Sequence, residues 1–147
     1  NKIFYFIIGV LLFTFGNAQN NVTFKAKDGL TIYATEYVTN ENNPYILLFH
    51  QAGYSKGEFK EIAPKLLNLG YNCLAVDLRS GSDVNFVPNE TAAEAKRLHL
   101  STTYLDAKQD IEAAIKYVSS KNDKPIILFG SSYSASLALL VGKVTIV

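Results

Sequence analysis

Residues 126–136 read Ile126-Ile127-Leu128-Phe129-Gly130-Ser131-Ser132-Tyr133-Ser134-Ala135-Ser136. Apolar residues run directly into small ones, and Ser134 to Val141 is again apolar and small. A short continuous apolar run marks a strand buried on both faces. The small apolar stretch after it reads as a helix packed tightly on the sheet. A strand-to-helix turn this sharp holds its apex residue, Ser132, in a strained backbone conformation with the hydroxyl exposed. The residues two before and two after the apex must be small, because their backbones crowd together. Gly130 meets that demand, and Ser134 meets it nearly as well. The helix that begins near Tyr133 points its first amides and positive dipole end at any charge developing beside Ser132. The competing account is a serine-rich helix cap in an ordinary α/β domain. The strand before and the helix after favour a serine presented for chemistry.

The same grammar recurs twice upstream. Tyr45 to Phe49 (YILLF) is a buried strand that ends in His50-Gln51-Ala52-Gly53, a small-residue loop whose N–H groups can serve as donors. His50 sits at the strand end, where hydrogen bonding would order that loop. Tyr71 to Val76 is a second buried strand, followed by Asp77-Leu78-Arg79-Ser80-Gly81-Ser82. Asp77 and Arg79 are expected to pair and pin the loop. Helical spacing predicts helices over Phe59 to Leu69, Ala92 to Leu100 and Thr103 to Ser119, the last with Leu105 inward. Pro64 falls inside the first of these and either kinks it or marks its first turn. Gly70 ends that helix. Val22 to Lys25 and Leu30 to Tyr37 flank Lys27-Asp28-Gly29 and read as a hairpin. Val144 to Val147 starts one more strand. The fold class is therefore α/β, a mostly parallel sheet with helices on both faces and an antiparallel N-terminal hairpin.

Composition narrows the function. The chain has 147 residues, room for one domain. Its 14 Lys and Arg against 13 Asp and Glu leave no electrostatic drive toward nucleic acid. One cysteine, Cys73, excludes an internal disulfide framework and a multi-cysteine metal site. Cys73 lies in an apolar strand and reads as core. Two histidines, His50 and His99, leave little for a metal site, and none is expected. Residues 1–18 read as a cleaved signal peptide: basic Lys2, an apolar run of 13 residues from Ile3 to Phe15, then Gly16-Asn17-Ala18. That run is too short for a bilayer-spanning helix, so no stable membrane anchor is expected. The mature domain would be residues 19–147, secreted or periplasmic. A chain without methionine that stops inside a strand is expected to be a piece of something longer. The sequons at Asn21 and Asn89 read as chance.

Taken in order and at these separations, the three loop motifs resemble the α/β-hydrolase family, in its serine esterase or dienelactone-hydrolase-like branch. His50-Gln51-Ala52-Gly53 is similar to its H-G-x-G oxyanion loop. Asp77 to Ser82 resembles its D-x-R-G-x-G stretch, and Gly130 to Ser134 its nucleophile elbow. Departures fall at Gln51, Ser80, Ser82 and Ser134, where glycine is common. The resemblance implies that Ser132 is the nucleophile and Tyr133 N–H one oxyanion donor. The other donor would be Ala52 N–H or Gln51 N–H. It implies a small-molecule acyl substrate, a serine acyl-enzyme and no cofactor. The family order puts the acid and the histidine base after later strands, beyond Val147. The chain alone is then expected to be close to inactive. His99 reads as a solvated histidine near a pocket rim, and Asp106 and Asp110 as one solvated helix face. Two other readings stay open: a non-catalytic exported α/β binding module or pseudo-enzyme, and a serine peptidase or thioesterase of the same fold.

Overall fold

The structure, a computed structural model, describes residues 18–142. The apolar part of the leader and the terminal Val144 to Val147 lie outside the described residues. Five strands form one sheet: β1 (Ala18–Lys25), β2 (Thr31–Val38), β3 (Tyr45–Phe49), β4 (Asn72–Val76) and β5 (Ile127–Gly130), in the order β1-β2-β4-β3-β5. β1 and β2 pair antiparallel, Ala18 against Val38 through Lys25 against Thr31. β2 also runs antiparallel to β4, while β3 runs parallel to both β4 and β5. The expected hairpin thus sits at one edge of a mixed sheet. Gly29 takes φ +86° in its turn, a conformation that suits glycine.

Alternation within the strands divides the core in two. Leu47 and Phe49 of β3 with Leu74 and Val76 of β4 face the helices α2 (Glu90–Arg97), α3 (Lys108–Ser119) and α4 (Tyr133–Gly142). Ile46, Leu48, Cys73 and Ala75 face α1 (Ala63–Asn68) on the other side, beneath Phe59, Ala63 and Leu67. Both inner strands are buried at every position, which is why they carry no polar alternation. Cys73 belongs to this core, and burial pushes its thiol up to about 12.

Four local expectations change. The predicted helix from Phe59 is a 3-10 turn over Lys56–Phe59 followed by α1, with Pro64 in the first turn of α1. α2 starts earlier than expected because the Asn89 side chain accepts from Ala92 N–H and caps it. α3 starts later: Asp106 binds Ser101 and Thr103 and holds the preceding segment as turns, leaving Leu105 68% exposed. β5 is not buried on both faces. Ile127 and Phe129 are 43% and 49% exposed, with Phe59 of the 3-10 turn edge-on to the Phe129 ring at 6.0 Å.

The charged loop residues also pair differently from expectation. Asp77 and Arg79 do not pair with each other. Lys56 Nζ binds Asp77 Oδ2 at 2.7 Å and Glu90 at 2.8 Å. Arg79 reaches Asp28 at 2.6 Å and Asp110 at 2.8 Å, with its side chain only 1% exposed. Asp110 is fully buried rather than solvated, and it also accepts the Arg79 backbone N–H. Burial pushes the Asp110 carboxyl up to about 6, with the Arg79 hydrogen bonds restraining the rise. Removing the guanidinium would leave this carboxylate buried without a charged partner, held only by the Arg79 backbone N–H. Arg79→Ala is expected to cost about 3–5 kcal/mol, read as a lower urea midpoint, with a smaller loss for Asp28→Asn.

Candidate active site

The strand-to-helix turn is built as its residue sizes require. Ser132 lies between β5 and α4 at φ +58°, exposed to solvent. Such a conformation costs a non-glycine residue about 1–3 kcal/mol and persists only where its surroundings hold it. Three contacts do so here. Ser131 N–H donates to Phe49 O at 3.0 Å, which carries the β3–β5 pairing past the end of the strand. Ser134 Oγ, fully buried, accepts from Ser131 N–H at 2.8 Å and lies 2.8 Å from Phe49 O. Ala135 N–H donates back to Ser132 O at 3.0 Å and closes the first turn of α4. Ser134 is therefore a hydrogen-bonding brace as well as a small residue. At Gly130 a Cβ would sit 2.4 Å from Ala135 N and 2.5 Å from Ala135 Cα, which leaves no room for a side chain.

The second loop is ordered by His50. Its ring is fully buried between two strand ends. Leu78 N–H can only donate, so Nε2 accepts from it, at 2.8 Å. The proton then sits on Nδ1, which donates to Gln51 O at 2.8 Å. Burial lowers the pKa of His50, so the ring is neutral near pH 7 and both its nitrogens are occupied. The two candidate donors in this loop differ. Gln51 N–H donates to Glu58 Oε2 at 2.8 Å and is spent. Ala52 N–H and Tyr133 N–H have no hydrogen-bond partner among the described residues. Gln51 is thus displaced as a donor in this conformation.

The Ser132 hydroxyl likewise has no partner among the described residues, so no base is in contact with it. His99 is exposed at φ +54° and lines a cleft of about 700 Å³ with Arg79, Gly81, Asn89 and Lys96, a lining that does not include Ser132. Among the described residues no group of His, Cys, Asp and Glu could hold a metal ion, and no helix is long and apolar enough to cross a membrane. Two residues escaped the sequence reading. Glu58 holds the oxyanion-like loop from a separate turn. Asn89 donates to Leu78 O and Tyr54 O, both at 3.0 Å, while capping α2. An asparagine directly before Glu90-Thr91-Ala92 was a visible cap signal for the latter.

No family model matches the chain, and no curated protein does. Solved structures do. The esterase Pf2001 of Pyrococcus furiosus aligns with a TM-score of 0.59 at 17% identity, over 84% of this chain and 44% of that one. An α/β hydrolase from Novosphingobium aromaticivorans aligns with a TM-score of 0.61 at 15% identity, over 86% and 40%. The thioesterase domain of the curacin biosynthetic pathway reaches 0.64 at 22%, over 88% and 41%. The chain spans less than half the length of each. Its fold is the α/β-hydrolase fold.

Two outcomes are expected at this site. Gly130→Ala should lower the urea midpoint by the equivalent of about 1–3 kcal/mol, because the added methyl meets backbone rather than a movable side chain. His50 protonates near pH 6.5 in the unfolded chain but resists protonation when buried. Native stability should therefore be complete above pH 6.5 and fall as pH drops below it. The stability gap between wild type and His50→Gln should narrow from pH 7.5 to 5, by at most about 1.4 kcal/mol per pH unit.

Proposed function

We propose that this chain is the nucleophile-bearing part of an exported serine hydrolase that cleaves an ester or related acyl bond. The observation that carries the reading is Ser132: an exposed hydroxyl at φ +58° on a strand-to-helix turn, with the N–H groups of Tyr133 at the start of α4 and of Ala52 in the loop after β3 unbonded among the described residues. In this reading Ser132 Oγ attacks the acyl carbonyl while a base takes its proton. The tetrahedral oxyanion accepts from Tyr133 N–H and Ala52 N–H, helped by the N-terminal dipole of α4. Collapse expels the alcohol and leaves an acyl-serine, which water then hydrolyses. The acid and base would come from sequence after Val147, as the family order implies. His50 orders the oxyanion loop and takes no proton. No cofactor enters this chemistry. The leader, residues 1–18, would direct the protein to a secreted or periplasmic location with cleavage after Ala18.

The test is covalent labelling. A fluorophosphonate probe should modify the full-length protein at Ser132, and Ser132→Ala should abolish both the label and p-nitrophenyl acetate turnover. Residues 19–147 alone should hydrolyse that ester no faster than background. Absence of labelling in the full-length protein would favour the non-catalytic binding module. Among acyl substrates, comparing esters, thioesters and peptides by kcat/KM separates the esterase from the thioesterase and peptidase readings.

A further inference from the structure

The loop after β4 is fixed along its backbone. Leu78 N–H is held by His50, Arg79 N–H by Asp110, Gly81 N–H by Leu78 O and Ser82 N–H by Tyr54 O. Arg79 adds its two ion pairs at the same place, the one to Asp110 fully buried. Ser80 stands in the middle of this stretch, and its hydroxyl hydrogen-bonds the phenol of Tyr133, 53 residues further along the chain. Tyr133 is the first residue of α4 and the direct neighbour of Ser132. Its ring stacks on Tyr104 with centroids 4.5 Å apart and planes 29° apart. One side of the Tyr133 side chain is therefore held by a rigid loop and another by an aromatic face. Burial pushes the phenol up to about 12, so it keeps its proton and the bond is intact at neutral pH.

We infer that Ser80 is a positioning residue, whose bond to the Tyr133 phenol holds the strained turn at Ser132 and keeps Tyr133 N–H aimed at the reacting carbonyl. The physical need is clear from the backbone. Ser132 at φ +58° gains free energy by relaxing, and any relaxation moves Tyr133 relative to β5. Ser134 braces the turn from the sheet side, through Phe49. The Ser80 bond braces it from the opposite loop. Neither Ser80 nor its hydroxyl touches the reacting atoms. Its effect passes through Tyr133, and misplacement of a donor by a fraction of an ångström is costly in rate.

The inference rests on the hydrolase reading for its catalytic consequence, so the experiment has two readouts. Ser80→Ala, Ser80→Thr, Tyr133→Phe and the double variant Ser80→Ala/Tyr133→Phe are made in the full-length protein, with Ser132→Ala as control. The first readout is amide hydrogen exchange of the segment 130–135. Ser80→Ala and Tyr133→Phe should each speed it, with α3 unchanged, and Ser80→Thr should restore protection. The second is p-nitrophenyl ester turnover. Each single variant should lower kcat by about tenfold with KM within about twofold, the double variant should add nothing, and Ser80→Thr should recover the rate. Unchanged exchange and kcat in Ser80→Ala would overturn the inference. So would additive losses, or a kcat that falls only in step with the folded fraction. Wild-type turnover that survives Ser132→Ala overturns the hydrolase reading instead, and the exchange comparison then still decides whether Ser80 holds the turn.

Discussion

A guanidinium buried beneath the loop after β4 is the constraint on which this structure depends. Arg79 has a side chain 1% exposed, and water cannot share its charge. The charge is tolerable only because two carboxylates meet it, Asp28 from the hairpin turn and Asp110 from α3. Three segments far apart in the chain are thereby joined at one point: the first turn, the end of β4 and the first turn of α3. Each partner feels the other. The hydrogen bonds from Arg79 hold Asp28 below its ordinary range, and together the two carboxylates hold the guanidinium above its own against the cost of burial. An ion cluster of this kind contributes less to net stability than apolar packing would, but it is far more particular about geometry.

That geometry propagates. With Arg79 fixed, the backbone on either side of it is fixed, and the buried ring of His50 can bridge Leu78 N–H and Gln51 O. Gly81 lies so close to this bridge that a Cβ would fall 2.1 Å from Asn89 Nδ2 and 2.6 Å from His50 Cε1. The loops after β3 and β4 are thus packed as one layer, with Asn89 as the side chain that satisfies the carbonyls between them. The turn at Ser132 rests against this layer through Phe49 O on one side and Ser80 on the other. The strain stored at Ser132 is sustained by loops that cannot yield.

The alternation of strands with helices and the burial of β3 and β4 could be read directly, whereas β5 is half-exposed. YILLF and YNCLAV carry no polar residue pattern because both strand faces are covered, and covering both faces requires helices between strands. The place of Ser132 was equally legible. Gly130 is small because the backbone of Ser134 and Ala135 leaves no space for a Cβ, Ser134 is small and buried against Phe49 O, and Ser132 between them takes φ +58°. These are local consequences of side-chain size and hydrophobicity, and they are written into adjacent residues.

What the chain could not reveal locally was which charges meet. Asp77 and Arg79 are two residues apart in the loop that follows β4, and proximity in sequence does not make them partners. One finds Lys56 and the other Asp28 and Asp110, partners 21, 51 and 31 positions away. Asp110 looked solvated because its helix spacing is ordinary, yet it is buried where it meets Arg79 of the loop after β4. Glu58 took the Gln51 amide for the same reason, through a turn that brings it back beneath the loop. Hydrophobic periodicity is a property of neighbours in sequence, so the sequence alone determined the elements and the exposed serine. Ion pairing and donor choice depend on distances between segments that meet only after the sheet has formed, and those the tertiary structure decided.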